Sequence, residues 1–257
     1  MWTTSAPASE PIPTPADFAP YAGRVWRVVE AQHRISTNRL ADNAADQALL
    51  EEMAEAAKPT MPPAARGLHY LLATPFRYGH AMPSRFRRAH ERPGIFYAAE
   101  GIATAVAETA YWRLLFLSRS PEMALPRGTI EHSAYHVRVA AARALDLTRP
   151  PLSAGRLLWT DPGDPMPCQR LAATARGIET QLIRYESVRD SVHGANIALL
   201  DPAAFADREP VVWATYHFRV EGEGLSVLAA FPSAEHYRFA FADFGLASPS
   251  RPPGHVH

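Results

Sequence analysis

Residues 77 to 113 read RYGHAMPSRFRRAHERPGIFYAAEGIATAVAETAYWR. The segment starts with a polar head that carries Arg77, Arg85, Arg87 and Arg88. Pro93-Gly94 then turns the chain, and Ile95-Phe96-Tyr97 follows as a short apolar strand. From about Thr104 the spacing of Ala105, Ala107, Glu108, Tyr111 and Trp112 predicts a helix, with Glu108 one turn before Trp112. A turn, a strand and a helix in this order bring arginines, a tyrosine and one carboxylate towards a common point. That set suits an anionic ligand whose cleavage develops positive charge. Glu108 stands in a run of small apolar residues, where an acid needs a partner or a task. Taken singly, each residue has a plainer reading: Glu108 on the solvent face of an amphipathic helix, Tyr97 in the core, Arg85 on the surface.

The rest of the chain sets bounds on that reading. At 257 residues it has room for one large domain or two small ones, and 47% of the residues are hydrophobic, enough for a substantial core. Lys+Arg and Asp+Glu balance at 26 each, so net charge gives no reason to expect direct binding to nucleic acid or to a membrane. Lys58 is the only lysine. The arginine excess has a compositional explanation in an Ala-, Pro- and Arg-rich chain. The single cysteine, Cys168, excludes an internal disulfide and a cysteine-based metal site. The N-terminus lacks a basic stretch followed by an apolar run, and no apolar run reaches membrane-spanning length. A soluble, cytoplasmic protein is expected.

In chain order, residues 1–20 are rich in Pro, Ala, Ser and Thr and are expected to be a flexible arm. Residues 21–65 are expected to be a helical N-terminal extension. Its clearest part is Asp42 to Lys58, with a stripe of Leu49, Leu50, Met53 and Ala57 that stops at Pro59. Three uses are open to this extension: packing on the core, forming a homodimer face, or meeting a partner. Residues 66–245 follow as the catalytic domain. Its predicted strands lie at 129–140 (with Tyr135, Val137 and Val139 inward), 180–185, 196–200 and 211–220, the last pairing with 225–231. A helix is predicted at 169–177. Residues 246–257 are expected to be a disordered tail. The fold class is α+β in a single domain, with mixed short strands after the helical extension.

Most familiar chemistries leave no trace. His132 and His136 share a strand face without a third ligand at zinc spacing, so no metal is expected. There is no Gly-x-Ser-x-Gly elbow and no glycine-rich phosphate loop.

Taken jointly, the residues resemble a known family. Arg85-Phe86 before the Pro-Gly turn, then Gly94-Ile95-Phe96-Tyr97-Ala98-Ala99, then Thr104-Ala105-Val106-Ala107-Glu108, is similar to the core of the RES domain. The family takes its name from an arginine, a glutamate and a serine. Its usual motif reads Gly-Arg-Trp-Asn, Gly-x-x-x-Tyr-x-Ala, Ala-x-x-Glu. Tyr185-Glu186-Ser187-Val188-Arg189 with Gly194-Ala195-Asn196-Ile197-Ala198-Leu199-Leu200 resembles the family's serine region, and Arg77-Tyr78 resembles an upstream pair of some members. The likeness covers about residues 66–205. Ser84-Arg85-Phe86-Arg87 stands where Gly-Arg-Trp-Asn is usual, which leaves Arg85 and Arg87 as alternatives for the family arginine; the aromatic directly after Arg85 favours Arg85.

The resemblance implies an ADP-ribosyltransferase-like fold and action on NAD+ as substrate, with no separate cofactor. It implies the toxin of a type II toxin–antitoxin system, restrained by an Xre-type antitoxin protein. The implied reaction is cleavage of the nicotinamide–ribose bond by phosphorolysis or hydrolysis, with inorganic phosphate as one acceptor. Two alternatives are a protein ADP-ribosyltransferase and a non-catalytic nucleotide-binding module. The implied catalytic residues are Arg85, Glu108 and Ser187; the implied substrate-binding residues are Arg77, Tyr78 and Tyr97.

Overall fold

The computed structural model describes residues 10–31, 58–120, 126 and 128–249. Eight strands form one sheet in the order β1-β2-β5-β4-β3-β6-β7-β8: β1 Ala19–Glu30, β2 Phe96–Ala99, β3 Thr129–Asp146, β4 Leu182–Glu186, β5 Ala195–Leu199, β6 Val211–Glu221, β7 Gly224–Ala229 and β8 His236–Ala240. Because β1 pairs with both β2 and β3, the strands β1, β2, β5, β4 and β3 close into a ring, which removes their free edges. The strands β6, β7 and β8 extend from β3 as a meander.

The long strand β3 joins the two parts. It pairs with β6 through its first half, with β1 from His132 to Ala144, and in parallel with β4 at its end. Tyr135, Val137 and Val139 are each 1% exposed, as their alternation predicts. The strand runs to Asp146, past the expected end at 140, because Ala141, Ala144 and Leu145 continue its buried set.

Residues 21–30, assigned above to a helical extension, are strand. In β1, Val25 and Val29 pack into the cluster that includes Tyr135 and Val137, while Trp26 and Val28 pack into the opposite one with Val106 and Leu114. A strand covered on both faces reads as an apolar run without clean alternation. Residues 18–20 of the expected arm are likewise ordered, entering β1 after a short turn at Pro15–Asp17. The stripe of Leu49, Leu50, Met53 and Ala57 lies outside the described residues, as do residues 250–257 of the expected tail.

Four α-helices stand among the described residues: α1 Tyr70–Arg77, α2 Ile102–Ser118, the single turn α3 Arg156–Trp159 and α4 Met166–Gly177. Each longer one covers its own core. Leu72 and Phe76 of α1 pack against β1–β3; Cys168, Leu171 and Ala175 of α4 pack with Trp159 and Ile183; Val106, Ala110, Leu114 and Leu117 of α2 pack with Tyr216 and Phe218. The turn before β2 is tight: a Cβ on Gly94 would sit 1.9 Å from the Pro75 carbonyl oxygen, so the α1–β2 junction requires glycine. No helix among the described residues is long and apolar enough to cross a membrane.

Candidate active site

Glu108 lies on α2, where that helix passes the ends of β4 and β5. The antiparallel register sets Asn196 opposite both Ala99 and Tyr185, so the start of β5 faces the first turns of α2. Two side chains grip one carboxylate oxygen: the Ser187 hydroxyl donates to Glu108 Oε1 at 2.7 Å, and Asn196 Nδ2 donates to the same oxygen at 2.6 Å. Glu108 Oε2 receives no hydrogen bond from the described residues, and the residue is half-buried. The carboxylate is therefore fixed by one oxygen and offers the other.

The grip is itself built into a rigid loop. Ser187 is 0% exposed and its oxygen also accepts the amides of Arg189 (3.2 Å) and Asp190 (3.1 Å). Asp190 Oδ2 accepts the Thr104 hydroxyl at 2.7 Å and the Gly194 amide at 3.3 Å, which ties the loop to the start of α2. A Cβ on Gly194 would stand 2.2 Å from Thr104 Oγ1, so glycine lets the loop approach α2 this closely. Ser187 thus acts from behind the carboxylate: its hydroxyl is committed and shielded from solvent. Asn196 is 2% exposed, and its Oδ1 is buried without a partner. The sequence reading passed over Asn196 as part of an apolar strand; the one polar residue at the head of NIALL was the available signal.

The structure separates the two candidate arginines. Arg87 is buried at 4% exposure and spends its guanidinium on its own loop: Nη1 donates to the carbonyls of His80 (2.8 Å) and Arg88 (2.9 Å), and Nη2 to that of Met82. Arg85 reaches the other way and stays half-buried. Its Nη1 donates to the carbonyls of Trp159 (2.8 Å) and Asp161 (3.1 Å), next to the buried Cys168. Phe86, between them, is fully buried and meets Tyr185 edge-on at 4.8 Å. The Tyr97 hydroxyl fastens this turn, 2.9 Å from Ser84 Oγ and accepting the Phe86 amide at 3.2 Å. Burial pushes the Tyr97 phenol up to about 12 despite those bonds. Burial, with the charge of Glu108 added, raises the Tyr185 phenol well above its ordinary value, and Arg85 opposes that rise. The charges of Arg85 and Glu108 thus both act on Tyr185.

Arg77 and Tyr78 sit elsewhere. Arg77 Nε donates to the Pro59 carbonyl, and both residues line a surface concavity of about 730 Å³ with Lys58, Arg66 and Tyr70. Arg85, Tyr97, Glu108 and Ser187 do not line it. The structure brings together Glu108, Ser187, Tyr97 and Arg85 around β2, β4 and α2, and leaves the Arg77–Tyr78 pair at the end of α1.

A family model, the RES domain, matches residues 61–221. The chain belongs to the RES domain family. The matched segment runs from the approach to α1 to the end of β6 and holds Arg85, Tyr97, Glu108, Ser187 and Asn196. Comparison with curated proteins gave no match. Among solved structures, the chain is similar to one described as the M. tuberculosis MbcT–MbcA toxin–antitoxin complex, with 12% identity and a TM-score of 0.43 over 77% of this chain and 84% of the other.

Proposed function

We propose that this RES protein consumes NAD+ by breaking its nicotinamide–ribose bond, with phosphate or water as acceptor. The observation that carries the reading is the one-sided grip on Glu108, an oriented carboxylate with Oε2 left for a ligand. In the reaction the C1′–N bond breaks heterolytically and its electron pair leaves with neutral nicotinamide, so no acid is required. The ribose is left with oxocarbenium character, as in glycoside cleavage. A fixed anion beside the ribose stabilises that charge as it forms. The acceptor oxygen then bonds to C1′ and releases its proton to solvent.

In this reading Ser187 and Asn196 are positioning residues that hold Oε1. Tyr97 fixes the turn that presents Arg85, and Arg85 offers planar donors to the substrate's phosphates. Arg77 and Tyr78, in their separate concavity, take no part in it. The family membership supports the wider context of a cytoplasmic toxin restrained by an Xre-type antitoxin.

The test is incubation of purified protein with adenylate-labelled NAD+, with and without inorganic phosphate. Free ADP-ribose or its 1″-phosphate, with nicotinamide released, is the expected outcome. Label transferred to protein would favour the ADP-ribosyltransferase alternative. No loss of NAD+ would leave a non-catalytic nucleotide-binding module.

A further inference from the structure

Beyond the implied residues, one charged group near Glu108 forms no ion pair with a carboxylate among the described residues. Arg189 follows Ser187 by two positions, on the loop whose amides hold the serine. Its guanidinium carbon lies over the ring of Tyr111, 3.6 Å from the centroid, and Tyr111 is on α2 within a turn of Glu108. Stacking of that kind fixes a guanidinium's plane while leaving its N–H edge free for an oxyanion. The only hydrogen bond it donates among the described residues is a long one, 3.4 Å, from Nη2 to the Pro162 carbonyl.

The partner of that bond matters. Arg85 donates to the carbonyls of Trp159 and Asp161, so one short segment, 159–162, receives both guanidinium groups. Two cations are thus drawn together from separate parts of the chain, one from the turn before β2 and one from the loop after β4. Neither forms an ion pair with a carboxylate among the described residues. The nearest acid of the segment, Asp161, turns its Oδ1 onto the amides of Gly163 and Asp164, although it still senses the charge of Arg85. Burial lowers the Arg189 guanidinium; Tyr111 and Glu108 offset this in part, and Arg85 adds to it. Like charges held close on backbone carbonyls, half-buried and in no ion pair among the described residues, make a receptor for an anion.

The geometry points to Arg189 as the second jaw of a phosphate clamp, closing with Arg85 on phosphate oxygens at the mouth of the Glu108 site. The clamp rests on the reading of Glu108 as the reacting carboxylate for its place in the reaction, but its anion binding is independent of turnover. The same chemistry has two sources, the diphosphate of the dinucleotide and free inorganic phosphate acting as acceptor.

The experiment is calorimetric titration of the full chain with pyrophosphate, ADP-ribose and adenosine, for the wild type, Arg189→Gln and Arg189→Lys, beside steady-state NAD+ turnover. We expect R189Q to weaken pyrophosphate and ADP-ribose about 10- to 100-fold, the loss of hydrogen bonds to a charged group. R189K should recover part of that, since it restores charge without the fork, and adenosine should be unaffected. In turnover, a raised KM for NAD+ with an unchanged KM for phosphate assigns the clamp to the dinucleotide; the reverse assigns it to the acceptor. Unchanged affinity for pyrophosphate and unchanged KM values in folded R189Q would overturn the clamp, even if NAD+ is consumed. Arginine-dependent pyrophosphate binding in a wild-type protein that leaves NAD+ intact would keep the clamp and sink the proposed function.

Discussion

Glu100 and Glu108 flank the N-terminal turns of the same helix and are used in opposite ways. Glu100 is saturated: Arg184 donates Nε to Oε1 at 2.8 Å and Nη2 to Oε2 at 2.9 Å, and the Tyr21 hydroxyl adds a bond at 3.0 Å. Arg184 in turn reaches Asp146 and Thr148, and Arg149 also meets Asp146 at 3.4 Å, so every charge in the group has its opposite. Around Glu108 the charges are as dense, with Arg85 and Arg189 near, yet they do not pair. The carboxylate is bound on one oxygen by neutral donors, and the guanidinium groups rest on carbonyls and an aromatic ring. The first group joins β1, β3 and β4 to the head of the helix. The second holds charge left unpaired among the described residues, an arrangement that clusters at functional sites.

That contrast can be broken from the site outward. Among the residues that hold the carboxylate, the largest effect is expected from Asn196→Asp, which sets a second carboxylate against Glu108 where Nδ2 now donates at 2.6 Å. Two adjacent carboxylates repel and raise the pKa of the pair, so NAD+ turnover should fall about 100-fold at neutral pH and recover in part as the pH is lowered and a proton on the new carboxyl restores a donor to Glu108. A pH–rate profile that matches the wild type would remove Asn196 from the positioning role. Ser187→Ala leaves Asn196 as the one grip and strands two buried amides. We expect kcat to drop about tenfold and stability to fall by roughly 1–3 kcal/mol, read by chemical denaturation.

The two arginines two positions apart give a finer comparison. Arg87→Ala deprives three loop carbonyls of their donor and should cost about 2 kcal/mol, whereas Arg85→Ala should leave the melting temperature nearly unchanged and raise KM for NAD+. A thermal-shift series that shows R85A as the destabilised variant would reverse the assignment. The smallest effect on activity belongs to Glu100→Gln, which should leave turnover alone and remove about 1 kcal/mol of stability. Burial raises the Glu100 carboxyl, but the bond and charge of Arg184 outweigh it and hold it below the ordinary value of 4.5. Its contribution is therefore present above that value and lost as the pH falls through the depressed one. The wild-type advantage over E100Q should shrink as the pH falls below 4.5 and vanish once it is below the depressed value.

The sequence showed some of this and hid the rest for physical reasons. The turn, strand and helix of residues 93–118 were legible because each carries its own signal: a Pro-Gly pair, an apolar run and helical spacing. The inward set of β3 was legible from alternation. β1 was not, since Val25, Trp26, Val28 and Val29 serve two cores and lose the period of a one-sided strand. β8 escaped notice because it is a five-residue edge strand, too short for the alternation of exposed His236 and Arg238 with half-buried Tyr237 and Phe239 to stand out. Within the site, Glu108 announced itself as an acid among small apolar residues. Asn196, the second grip, looked like the first residue of a buried strand, and its partner across α2 is set by register alone. Arg189 was one arginine among many until Tyr111 and segment 159–162 gave it a place.

The central claim is that Glu108 is an oriented carboxylate held for a ligand and not for the fold. Glu108→Gln tests it most directly, because the amide keeps the size of the side chain and an oxygen for Ser187 and Asn196. The account predicts NAD+ consumption reduced by about a thousandfold or more with the melting temperature within about 2 °C of the wild type. Undiminished turnover in folded E108Q would contradict it.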